Sequence, residues 1–184
     1  MTEARNPSNR KQWKVLSCLL QFPEAGTIEA LLPEQALLEA AFQGSDRARI
    51  REFLQYLAET PLLLVQEAFS GAFDLSPPTC LNLTYHQWGD GRKRGPALVR
   101  FAEACEAAGF EPRRAELPDY LPLVLELLSQ GADKDLQWII SEHRQTVRLL
   151  AERLKTAQSP YAGIFQVLGK TFQAAAAASQ GGRS

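Results

Sequence analysis

Apolar residues recur along this chain at three- and four-residue spacing from one end to the other, the pattern of amphipathic helices. Trp13, Leu16, Leu19 and Leu20 share one face of a first helix, with Ser8 placed to cap it and Pro23 to stop it. Thr27 to Phe42 is rich in Leu, Ala and Glu, and Pro33 marks a break or a new first turn within it. Gly44-Ser45-Asp46 ends that element and caps the next, whose inner face reads Ile50, Phe53, Leu54 and Leu57. Thr60-Pro61 reads as an N-cap followed by Pro at N1, opening a helix at Leu62. The rhythm breaks over GAFDLSPPTC, where Pro77-Pro78 forces extended backbone, and helix resumes around Thr79 up to Gly89.

Leu98, Phe101, Ala102 and Cys105 mark a further helix, with Asp90 as candidate N-cap and Gly109 as its C′ glycine. A second loop, FEPRRAELPDYLP, carries three prolines, and Asp119 is placed to cap a helix that continues from Leu123 to Leu128 and ends at Gly131. Two long helices, Asp133 to about Ala157 and Tyr161 to about Ala178, complete the pattern. No segment alternates with period two between hairpin turns, and no repeat of solenoid length is present. The expectation is an all-α fold: a single irregular helical bundle over residues 1–178, with two long ordered Pro-rich loops and a disordered tail, SQGGRS, over 179–184.

Composition narrows the class. The 184 residues are 45% hydrophobic and 22% charged, ordinary for one globular domain with a real core. A formal net charge of −1 supplies no global field to recruit nucleic acid or an anionic membrane. Cys18, Cys80 and Cys105 are odd in number and contain no CxxC, which points to reduced thiols, Cys105 as a small apolar residue on a helix face. The N-terminus MTEARNPSNRKQW is too polar for a signal peptide, and no apolar run approaches the roughly 20 residues that span a bilayer. A cytoplasmic location is the expectation.

The stretch YHQWGDGRKRG, residues 85–95, poses the chemical question. Arg92, Lys93 and Arg94 fall at the mouth of a helix, where cations oppose the macrodipole at roughly 0.3–1 kcal/mol each. A bound anion or internal carboxylates would offset that. GDGRKRG is neither GxGxxG after a strand nor a P-loop, so a phosphate cradle is a secondary reading. His86 and Asp90 lie one helical turn apart, as in a tuned catalytic histidine, yet no nucleophile or second acid accompanies them. His86 and His143 are the only histidines and no cysteine stands within a turn of either, so no zinc site is expected. His143 reads as a surface polar residue and His86 as the brace of its loop. Asp74, Asp90, Glu116 and Asp119 all fall in or beside the Pro-rich loops, where Arg92 and Arg94 are placed to knit them together.

FDLSPPTCLNLTYHQWGDGRKRGPAL followed by ELPDYLPLVLELL resembles the nitrate reductase delta-subunit family, the NarJ-type molybdenum-enzyme assembly chaperones. The blocks cover roughly residues 73–128, and the signature residues are Phe73, Asp74, Leu75, His86, Gly89, Asp90, Arg92, Arg94, Gly95, Glu116, Leu117, Pro118, Asp119, Leu121 and Pro122. The resemblance implies a cytoplasmic, non-catalytic chaperone without a cofactor of its own. It would bind the catalytic subunit of a respiratory nitrate reductase, including its N-terminal segment, and hold it for molybdenum-cofactor insertion. A different molybdoenzyme client, or a small anion-binding protein using Arg92 and Arg94, is the alternative. On this reading Tyr85, His86, Trp88, Asp119, Tyr120 and Glu126 are the expected peptide-binding residues, in an apolar groove rimmed by acids. Asp74, Asp90, Arg92, Arg94 and Glu116 are the expected loop braces.

Overall fold

The computed structural model describes residues 7–110, 116–131 and 136–181. Helices α1 (Pro7–Leu19), α2 (Ala25–Leu31), α3 (Gln35–Ala40), α4 (Gly44–Glu59) and α5 (Leu62–Phe73) are followed by the short α6 (Tyr85–Trp88) and by α7 (Arg94–Ala107). Then come α8 (Leu121–Gln130), α9 (Gln137–Thr156) and α10 (Ala162–Gly181). Short 3-10 turns at Leu32–Glu34 and Pro77–Thr79 mark the proline breaks. Among the described residues there is no strand, only an isolated antiparallel bridge between Asn82 and Tyr120. The all-α expectation holds.

The inner faces read from the periodicity are the buried ones. Trp13, Leu16 and Leu19 of α1 with Leu20 just past its end, and Ile50, Phe53, Leu54 and Leu57 of α4, enter one core. Helix α8 is the exception to amphipathicity, because Leu121, Pro122, Val124, Leu125, Leu127 and Leu128 are buried on nearly every side. A helix that is apolar around most of its circumference must be central, and α8 packs along α1. Helices α9 and α10 pack against each other, and α10 also meets α1 and α4. Tyr161, between α9 and α10, is ringed by Phe53, Phe69 and Phe73 at centroid distances of 5.0, 5.7 and 5.0 Å. Trp13 meets Phe172 edge-on at 5.2 Å.

The helix ends depart from expectation in a consistent way. Helix α1 begins at Pro7, so Ser8 lies inside it. Pro61, not Thr60, holds the N-cap position of α5. Helix α4 starts at Gly44 without a side-chain cap, and Asp46 instead pairs with Lys170 of α10 at 2.6 Å. Gly109, at φ 74, ends α7 as expected, with Phe110 N–H donating to the Cys105 carbonyl at 2.8 Å. Helix α10 runs to Gly181, into the stretch expected to be a tail, while 182–184 lie outside the described residues. Residues 111–115 of the second Pro-rich loop also lie outside them.

Candidate functional site

Two neighbouring regions contain the residues singled out from sequence. The first is a clasp around Asp119. Its segment pairs with residues 81–84: Leu83 N–H donates to the Asp119 carbonyl at 3.1 Å, and Leu121 N–H to the Leu81 carbonyl at 2.8 Å. The Asp119 carboxylate is fully buried. It accepts from the Thr84 backbone N–H at 3.0 Å, the Thr84 hydroxyl, and Asn82 Nδ2 at 2.9 Å. Arg94 completes the set, with Nη2 at 3.5 Å from Asp119 and Nε donating to Thr84 Oγ1 at 3.0 Å. The Arg94 guanidinium also stands 5.5 Å over the Tyr85 ring and 3.7 Å from Asp90.

This corrects several expectations. Asp119 neither caps α8, whose N-cap residue is Tyr120, nor presents its carboxylate to a peptide. Burial is tolerated because both carboxylate oxygens accept hydrogen bonds and the Arg94 guanidinium stands close enough to match the charge. Asp90 does not cap α7 either: the helix starts at Arg94, and the Asp90 side chain is 87% exposed. Arg92 is exposed and ties no loop carboxylate among the described residues, and neither Asp74 nor Glu116 pairs with Arg92 or Arg94 there. One arginine, Arg94, does the bracing, through Asp119 and Asp90.

The turn that delivers Arg94 needs two glycines. Gly89 sits at φ 54, and a Cβ on Gly91 would stand 2.9 Å from the Trp88 carbonyl oxygen. His86 does brace its loop: Nε2 donates to the Cys80 carbonyl at 2.8 Å. Burial lowers the His86 pKa and raises that of the Cys80 thiol. His143 is not a surface residue. It is buried against Phe101 and Trp138, near Gln87 of α6, and burial lowers its pKa to about 4. His86 thus turns to the Cys80 carbonyl, while Arg94 reaches Asp119, Thr84 and Asp90, and Arg92 is exposed. Among the described residues no group of three or more His, Cys, Asp or Glu is arranged to hold a metal.

The second region is a cleft of about 370 Å³ along the seam of α1 and α8. Phe22, Phe110, Tyr120, Pro122 and Leu123 supply its apolar wall, and Glu24, Glu116 and Glu126 its carboxylates, with Lys14, Gln21 and Thr27 completing the lining. Tyr120 and Glu126, both expected in a peptide groove, therefore meet, and Glu116 joins them. Tyr85, His86 and Trp88 do not; they lie on α6, which reaches α9 through Gln87 Nε2 and the Glu142 carbonyl at 3.1 Å. Burial, with Glu116 and Asp74 nearby, lifts the Tyr120 phenol pKa to about 12, so it remains a neutral donor. Phe22, 40% exposed, stacks edge-on against Phe69 of α5 at 5.4 Å. Sequence reading passed over Lys14, Phe22, Glu24, Phe110 and Leu123. The available signal was Phe22, an aromatic residue beside Pro23 and off the inner face of α1.

The family described as nitrate reductase delta subunit matches residues 39–166, which include the whole clasp and the α8 wall of the cleft. The chain belongs to that family. It is 31% identical over 156 residues to the protein named probable nitrate reductase molybdenum cofactor assembly chaperone NarJ of Bacillus subtilis (strain 168), covering 85% of each chain. It is 31% identical over 161 residues to the nitrate reductase molybdenum cofactor assembly chaperone NarJ from Escherichia coli (strain K12), covering 85% of this chain and 67% of that one. In three dimensions it is similar to a protein from Archaeoglobus fulgidus described as a putative redox enzyme maturation protein, with a TM-score of 0.65 at 20% identity over 94% of this chain and 97% of that one. The last likeness extends the family's all-α fold. Among the described residues no helix is long and apolar enough to cross a membrane.

Proposed function

We propose that this chain is a cytoplasmic assembly chaperone of a nitrate reductase: it binds the catalytic subunit, including its N-terminal segment, and holds it for molybdenum-cofactor insertion without performing catalysis itself. The observation that carries this reading is the α1–α8 cleft, an apolar wall edged by carboxylates, in a chain whose relatives bear the names of assembly chaperones. A volume of about 370 Å³ is near the lower end of the usual range for ligand pockets. It suits a few side chains of a docking segment rather than a folded domain. The rigid clasp beside it fixes the start of α8, so Tyr120, Pro122 and Leu123 are presented in a preset arrangement and little ordering entropy is lost on binding.

The test is calorimetric titration of the full chain with a synthetic peptide from the N-terminus of the nitrate reductase catalytic subunit of the same organism. Saturable binding that disappears when the peptide is scrambled supports the reading. A folded protein that binds neither peptide overturns the N-terminal segment as the recognised element.

A further inference from the structure

The cleft is electrostatically uneven along its length. Lys14 of α1 lies against Glu126 of α8, and Ser17, one turn further on, donates its hydroxyl to the Pro122 carbonyl at 2.8 Å. Advancing along α1 therefore means retreating along α8, so the helices run antiparallel at this seam. Phe22 and Glu24, past the end of α1, then come level with Tyr120 and Glu116, just before α8.

At the Lys14 end the carboxylate is already satisfied. Both Glu126 oxygens accept from Lys14 Nζ, at 2.7 and 2.6 Å, and Ser17 Oγ lies 3.4 Å from one of them. At the other end Glu24 and Glu116 make no ion pair among the described residues, and they share the lining of the cleft with the exposed Phe22 and with Tyr120. One end of the groove is thus neutral and occupied, while the other combines two carboxylates that meet no cation among the described residues with aromatic faces that favour one.

We infer that the cleft recognises a client segment by placing one of its basic side chains between Glu24 and Glu116, against Phe22 and Tyr120, while its apolar side chains run over Leu123 toward the Lys14–Glu126 pair. The inference rests on the proposed client-peptide reading and adds to it a charge requirement and a location. Glu126, although acidic, is not the recognition group, because Lys14 already holds it.

The test is a set of double-mutant cycles read by calorimetry on the full chain, with the catalytic-subunit N-terminal peptide and versions in which each basic residue in turn is replaced by norleucine. The protein partners are wild type, the double variant Glu24→Gln/Glu116→Gln, and Glu126→Gln. The double variant is expected to keep the wild-type melting temperature and to bind the natural peptide about tenfold more weakly or worse, as loss of a charge-assisted contact implies. One norleucine peptide should lose a similar factor on wild type and nothing further on the double variant. That same peptide should show no such coupling with Glu126→Gln. Wild-type affinity in the double variant, or coupling to Glu126 instead, overturns the inference while leaving the chaperone reading standing. Failure of wild type to prefer the natural peptide over its scramble overturns both.

Discussion

The clasp and the cleft are built from the same materials, carboxylates beside aromatic rings near the start of α8, and they behave in opposite ways. At Asp119 the carboxylate is enclosed, both oxygens accept hydrogen bonds, and the charge is matched by Arg94 of α7. At Glu24 and Glu116 the carboxylates border a cavity and meet no cation among the described residues. The residue type does not decide whether an acid is enclosed and paired or left bordering a cavity; the segment that folds over it does. Asp119 and Tyr120 are adjacent in the chain, yet one belongs to the clasp and the other to the cleft.

The largest expected effect breaks the clasp outright. Asp119→Ala leaves Arg94 and the Thr84 N–H facing an apolar gap and should lower the unfolding free energy by about 3–5 kcal/mol, read by urea denaturation. An unchanged midpoint would show that the buried carboxylate contributes nothing net. Arg94→Ala should come next, at about 2–3 kcal/mol, since Thr84 and Asn82 still donate to Asp119. Arg94→Lys should recover only part of that, because an ammonium cannot reproduce the guanidinium fork that spans Thr84, Asp119 and Asp90.

A pH series separates the clasp's surroundings from a second buried centre. His143, packed near α6, is held neutral, with its pKa lowered to about 4 by burial. The unfolded chain takes that proton near pH 6.5, so this residue's share of stability is complete above pH 6.5 and falls as the pH drops to about 4. His143→Phe should flatten the melting temperature over that window. Glu39, bound by Arg51, Gln35 and Arg47, has its pKa lowered to about 2, first by the Arg51 hydrogen bond. Its contribution is complete above about 4.5 and is lost between there and about 2. Glu39→Gln should flatten only that lower limb.

The smallest stability effect belongs to the cleft. Lys14→Met removes a pair whose lysine is 54% exposed, and surface pairs contribute about 0–1 kcal/mol. A thermal melt should barely move. The freed Glu126 should then compete for the client's cation, so the peptide cycles should begin to show coupling to Glu126. That outcome would sharpen the contrast, since a single removed lysine would turn a satisfied carboxylate into a recognitive one.

The helices, their inner faces and the all-α class were legible in the chain alone. They follow from spacing within single elements: Trp13, Leu16 and Leu20 must share a face of any helix they form, and Ile50, Phe53, Leu54 and Leu57 likewise. The family was legible too, through the blocks around residues 73–128. Helix caps were misread at Asp90 and Asp119 because a short polar side chain before a helix can satisfy the local N–H groups or turn to a distant partner. Asp119 turned to Thr84, which is remote in sequence, and to Arg94. His143 was misplaced for the same reason: periodicity does not reveal that Phe101 and Trp138 close over it. The cleft exists only because α1 lies antiparallel along α8, bringing residues 14–24 near Phe110 and residues 116–126. Local spacing determines what a segment becomes, whereas burial and pairing of its charges depend on which distant segment it meets, and that was decided by the tertiary packing.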